Sequence, residues 1–142
     1  MMKLVIASDH AGRQLKKAVR DYLRGRGLEV TDLGVPDEVE KADYPDYARP
    51  LAEAVSAGRY DLGFLVCGTG TGMAMAANRV PGARAANCVN EFQVRMARAH
   101  NNANILALGE RVVGEGLALE LAEAFLDTGF EGGRHQARLD KF

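Results

Sequence analysis

Apolar residues along the chain fall into two patterns: short continuous runs, and longer stretches in which they recur every three or four positions. The short runs predict strands over residues 3–7, 29–32, 62–66, 83–88 and 104–108. Several of them lack polar residues at alternate positions, as expected of strands covered by helices on both faces. The longer stretches predict helices over 12–24, 47–57, 72–78, 91–100 and 114–126, with a short sixth helix following Gly132 and Gly133. In the first of these, Leu15, Ala18, Val19, Tyr22 and Leu23 fall at core-facing spacings, and Gly25 and Gly27 stand beyond its end. Gly58 and Gly129 are placed to terminate later helices.

Strands and helices in this alternation build β-α-β units. The fold class expected is therefore α/β: a three-layer, doubly wound α/β/α arrangement around a five-stranded, mostly parallel, Rossmann-like sheet. Residues 34–45 hold two prolines among charged side chains and read as a surface loop. At 142 residues the chain is expected to form a single domain, since a typical domain takes about 150.

Charge narrows the picture by exclusion. Lys and Arg number 18 against 19 Asp and Glu, a net charge of −1, so no nucleic acid is expected as partner and any positive site must be local. The first apolar run is cut short by Asp9 and His10, too soon for a signal peptide or a membrane span; a cytoplasmic protein without a membrane partner is expected. Cys67 and Cys88 fit neither a secreted disulfide framework nor a zinc site, and both are expected reduced. The three histidines include no closely spaced pair, so no metal ligands are assigned. Glycine is in excess, 16 residues or about 11% against a usual value of about 7%, which calls for many turns.

In a parallel sheet, ligands collect at the carboxyl ends of the strands, where helix N-termini present free N–H groups. Two unusual segments fall there: Ser8-Asp9-His10-Ala11-Gly12 after the first strand and Cys67-Gly68-Thr69-Gly70-Thr71-Gly72 after the third. Alternate glycines let the backbone turn successive N–H groups toward one anion, although a tight β-to-α turn needs the same residues. The loop lacks the dinucleotide G-x-G-x-x-G spacing and the Walker lysine, and position 73, where a C-x5-R phosphatase carries Arg, is Met73. Cys67 lies where N–H donors favour a thiolate, so it is a candidate base or nucleophile. Cys88 reads as a small buried hydrophobe. His100, in His100-Asn101-Asn102, is either a helix-end partner or a functional group. Arg134 and Arg138 stand at i and i+4, so they either fork onto a phosphate or form a solvated face pairing with Glu131 and Asp140; Arg111 is similarly open.

Taken together and in order, Ser8 to Gly12, Asp43-Tyr44-Pro45, Cys67 to Gly72, Ala77-Asn78, His100 to Asn104, Gly109-Glu110-Arg111 and Gly132-Gly133-Arg134-His135-Gln136-x-Arg138 resemble the type B ribose-5-phosphate isomerase family across essentially the whole chain. The resemblance implies cofactor-independent interconversion of D-ribose 5-phosphate and D-ribulose 5-phosphate through a cis-enediolate, a step of the pentose phosphate pathway. By the same resemblance Cys67 moves the proton between C1 and C2, His100 assists ring opening, and Thr69 lies close to the reacting carbons. Asp9 and Tyr44 are implied on the substrate, with Asn101 and the N–H groups of Gly68, Gly70, Thr71 and Gly72 on the enediolate oxygens. His10, Arg134 and Arg138 are implied on the phosphate, with Arg111 nearby. One branch of the family carries Glu in the glycine loop; Met73 stands there in this chain, which puts it in the cysteine branch.

A thiolate beside a nest of amides supplies a base and donors for the developing negative charge within six residues, which is what proton abstraction next to a carbonyl requires. Cys67 follows a strand, whereas His100 and Asn101 end a helix and precede the next strand, at the opposite edge of the sheet. The expected outcome is a homodimer, with a tetramer left open, whose sites are shared between subunits. The competing readings are an isomerase of a 6-phosphorylated hexose, allose or galactose, and a phosphosugar-binding module without turnover.

Overall fold

Strand β1 (Lys3–Ser8) is fully buried from Leu4 onward, and β3 (Leu62–Cys67) is buried throughout. Strands without an exposed face belong at the centre of a sheet covered on both sides. The computed structural model, which describes residues 1–142, places them there. With β2 (Glu29–Asp32), β4 (Ala85–Asn87) and β5 (Ile105–Gly109) they form a five-stranded sheet of order β2-β1-β3-β5-β4, every pair parallel. The α/β, doubly wound expectation holds. The chain turns outward from β1 to β2 and then returns past β1 to β3, so β1 and β3 flank the topological switch point, where a crevice opens beyond the strand ends.

Helices α1 (Arg13–Gly25), α4 (Glu91–Asn101) and α5 (Glu115–Asp127) cover one face, packing Leu15, Val19, Leu23, Val94 and Leu121 on Ile6, Phe64, Val66 and Leu106. Phe64 and Phe125 meet edge to face, ring centres 5.6 Å apart, and tie β3 to α5. Helices α2 (Tyr44–Ser56) and α3 (Thr71–Ala77) cover the other face through Leu51, Val55, Met73 and Ala77. Because side chains alternate along β3, Phe64 and Val66 enter the first cluster while Leu65 and Cys67 enter the second. A sixth helix, α6 (Arg134–Leu139), docks beside α4. No helix is long and apolar enough to cross a membrane.

Beyond one-residue shifts, one of which makes Gly25 the last residue of α1, the elements depart from expectation in three places. Helix α2 begins at Tyr44 and not at 47, because Pro45 sits in its first turn, where the missing N–H costs no hydrogen bond. Strand β4 is confined to Ala85–Asn87; ahead of it, the Arg84 N–H bonds the Asn104 side chain instead of extending the ladder. Helix α5 ends on extended Thr128, whose hydroxyl donates to Ala124 at 2.7 Å, so Gly129 does not act as its terminator. Gly27 and Gly58 do take the left-handed conformation past α1 and α2. Helix α1 also buries a charge on its apolar face: Lys16, 2% exposed, bonds Asp32 at 3.0 Å, and Arg20 bonds the other oxygen of that carboxylate at 2.7 Å.

Candidate active site

Ser8 pairs with Val66, so Asp9 and Cys67 leave the sheet side by side, and the Asp9 N–H still donates to the Val66 carbonyl at 3.3 Å. The Asp9 Oδ1 accepts N–H bonds from Ala11 (2.9 Å) and Gly12 (3.1 Å), capping the 3-10 turn His10–Gly12. One carboxylate oxygen is committed to the fold, which leaves the other for a ligand. Gly12 packs against the β3 backbone: a Cβ there would come within 2.5 Å of Val66.

The glycine loop closes over the sulfur. Gly70, with φ of 85°, turns its N–H onto the Cys67 Sγ at 3.1 Å. A proline cannot adopt this conformation, and an added Cβ would meet the Asn87 side-chain amide at 2.5 Å and the Leu108 carbonyl carbon at 3.0 Å. Thr69 Oγ1 accepts the Thr71 N–H at 3.2 Å within the loop. Asn87, at the end of β4, ties the loop to the sheet: its Nδ2 donates to the Ala107 carbonyl (3.1 Å) and its Oδ1 accepts from the Thr71 hydroxyl (3.1 Å). Cys67 is 5% exposed.

Three further predicted residues surround this loop. Arg111 donates its backbone N–H to Gly68 at 3.0 Å, and its guanidinium lies where a Gly68 Cβ would come within 3.2 Å of Nη1. The Tyr44 ring lies against Gly72, 2.8 Å from where a Cβ would stand. The exposed His10 ring is held through Nδ1, 3.0 Å from the Ala42 N–H and 3.1 Å from its carbonyl, which leaves Nε2 free for a ligand. Glu110, between Gly109 and Arg111, accepts the Leu15 N–H at 2.7 Å. It supplies the carboxylate cap that α1 lacks, since the helix begins at a glycine.

The remaining predicted residues lie elsewhere. Gly63 pairs with Ile105 and Cys67 with Gly109, so the chain enters β5 at the end of the sheet remote from Cys67. The five-residue strand alone separates the two ends by about 13 Å. His100 and Asn101 close α4 before that entry, and Arg134 and Arg138 on α6 lie with them. The predicted phosphate group is thus divided within one chain: His10 is on the Cys67 side, and the two arginines are beside His100. Neither arginine forms an ion pair, for Asp140 takes the Gln136 amide and Glu131 faces His135. Both guanidinium groups are exposed and open to an anion.

Sequence spacing separated His100 from His135, but the fold stacks their rings, centres 4.2 Å apart and planes within 11°. Burial pushes the His135 pKa below its ordinary value, and the neighbouring His100 and Arg134 act in the same direction. Cys88 is the inert thiol expected, 3% exposed and pushed by burial up to about 11. The positioning roles of Asn87 and Glu110 were not legible in the sequence. The signal for Glu110 was indirect, a helix start without a capping side chain of its own.

The ribose/galactose isomerase family matches residues 4–142 of the chain. A solved ribose-5-phosphate isomerase B from Clostridium thermocellum superposes with a TM-score of 0.96 at 52% identity, covering 99% of this chain and 94% of that one. This chain belongs to the ribose/galactose isomerase family. Among its relatives, ribose-5-phosphate isomerase B of Escherichia coli is 44% identical over 140 residues, 99% of this chain and 93% of the relative. D-erythrulose-4-phosphate isomerase of Pectobacterium atrosepticum is 43% identical over 141 residues, 99% and 93% of the two chains. As a member of the ribose/galactose isomerase family the protein is an enzyme, a sugar-phosphate isomerase.

Proposed function

We propose that the protein interconverts D-ribose 5-phosphate and D-ribulose 5-phosphate, in a site completed by a second copy of the chain. The observation that carries the chemistry is the Gly70 N–H on the Cys67 sulfur, beside Asp9 at the switch point of the sheet. In this reading His100 of the second copy assists opening of the furanose. The Cys67 thiolate then takes the proton from C2 and returns it to C1, while the hydroxyl proton passes between O2 and O1. The loop amides and Asn101 of the second copy hold the enediolate oxygens, whose charge is greatest midway through the transfer. His10 from one copy and Arg134 and Arg138 from the other hold the phosphate.

The tetrose relative favours a second reading, in which a four-carbon phosphate is the substrate. Measured kcat/KM for ribose 5-phosphate, erythrose 4-phosphate, allose 6-phosphate and galactose 6-phosphate decides between chain lengths; ribose 5-phosphate is expected to lead by about tenfold or more. In D2O the product should carry solvent deuterium at the transferred position. Binding of the pentose phosphate without exchange, unchanged by Cys67→Ser, would overturn the assignment.

A further inference from the structure

The segment after α5 sets two residues that the isomerase chemistry does not use, Glu131 and His135, against His100. Glu131 donates its N–H to the Ala99 carbonyl at 3.0 Å, which anchors it against the last turn of α4. Its Oε1 lies 3.5 Å from the His135 Nε2 and 3.9 Å from the His100 Nε2. His135 is 5% exposed, and its Nε2 has no hydrogen-bond partner although it points at that carboxylate. Buried polar atoms are normally paired, so an orphaned imidazole nitrogen facing a carboxylate asks for a ligand between them.

We propose that Glu131, His135 and His100 form a binding site for a divalent cation of the zinc type. Rings and carboxylate offer three ligand atoms within 4.8 Å of one another. Two imidazoles and one carboxylate are a donor set that zinc accepts, with a fourth position left for water. Tetrahedral coordination at about 2.0–2.1 Å sets ligand atoms about 3.4 Å apart. The 3.5 Å between Glu131 and His135 already fits this spacing, and the 3.9 Å between Glu131 and His100 must shorten by about 0.5 Å. With the rings stacked, the imidazole lone pairs run side by side, so the cation must turn the half-exposed His100 ring out of its stack, while the buried His135 stays fixed. Nitrogen donors exclude magnesium and calcium, which require oxygen.

Occupancy takes the His100 lone pair and switches the isomerase off. This consequence, unlike the site, rests on the role given to His100 above.

Equilibrium dialysis of chelator-stripped full-length protein against ZnCl2 tests the site without reference to turnover. One zinc per chain is expected, with no binding of MgCl2. Binding should survive Cys67→Ser and weaken by about tenfold or more in Glu131→Gln and in His135→Asn. A cobalt(II) probe should give d–d bands without a thiolate charge-transfer band. Absence of zinc binding, or binding lost in Cys67→Ser and kept in Glu131→Gln, overturns the site. In the isomerase assay, zinc should inhibit over the concentrations at which it binds, and a chelator should restore the rate. Glu131→Gln should keep the zinc-free rate and need about tenfold more zinc. Stoichiometric binding at this site without inhibition overturns the switch and the role of His100, and leaves the site standing.

Discussion

The Gly70 amide donates to the Cys67 sulfur across three residues, at 3.1 Å, from a left-handed backbone that only glycine adopts without strain. Sulfur, amide and conformation form one device, so the loop should respond to changes in its backbone more than to changes in its side chains. Gly70→Pro removes the donor and forbids the conformation. It is expected to lower kcat by about 1,000-fold, while Thr71→Ala, which loses only the bond to Asn87, costs less than about tenfold. Comparable losses in steady-state kinetics would remove the amide from the mechanism.

Cys67 is 5% exposed in one chain, so its access to small molecules is a direct test of its role. Iodoacetamide should modify Cys67 about 100-fold faster than Cys88, whose pKa is raised to about 11. Ribose 5-phosphate should protect it, and peptide mapping by mass spectrometry reads both sites. Equal inertness of the two thiols would contradict a role for Cys67 as base.

A site shared between subunits, as proposed, predicts complementation. Inactive Cys67→Ala and His100→Ala chains, mixed at equal ratio and allowed to exchange, form mixed dimers with one intact site. About one quarter of wild-type activity should return, the share expected from random pairing. No recovery from mixed dimers confirmed by native mass spectrometry would place the two residues in separate functions.

The ring-opening role proposed for His100 separates substrates by their chemistry. A pentose 5-phosphate closes to a furanose, whereas a tetrose 4-phosphate has no free hydroxyl placed to form one. His100→Ala should cost about 100-fold or more in kcat/KM on ribose 5-phosphate. On erythrose 4-phosphate it should cost less than about tenfold. Equal losses would assign His100 to proton transfer or binding instead.

Stability should depend on pH through Asp32. Burial acts to raise its pKa, but the Gly34 N–H, Arg20 and Lys16 outweigh it and hold the carboxyl below its ordinary value. With the folded value below the unfolded one, the stabilisation is complete above about pH 4 and fades as the pH falls toward the folded value. Asp32→Asn should cost about 2 kcal/mol at pH 7, less than for breaking a fully buried pair because the carboxylate is partly exposed. The difference from wild type should shrink at pH 3. Urea unfolding at both pH values checks it, and a constant difference would mean that the charge is not the source.

Hydrophobic periodicity by itself determined the α/β class, the five strands and the six helices, because a strand buried on both faces and a helix buried on one leave different spacings in the chain. Local chemistry likewise pointed to Cys67 and its glycines, since a strand end, a thiol and a flexible loop are contiguous in sequence. Tertiary structure decided what no spacing records. It set the order β2-β1-β3-β5-β4, which brings Asp9 beside Cys67. It sent Glu110 to cap α1 from 95 residues away, and it parted His100 from Cys67 while stacking it on His135. Contacts of this kind arise when separate elements dock on a common sheet, and their partners meet by burial of apolar faces, which leaves no periodic mark on the residues that happen to touch.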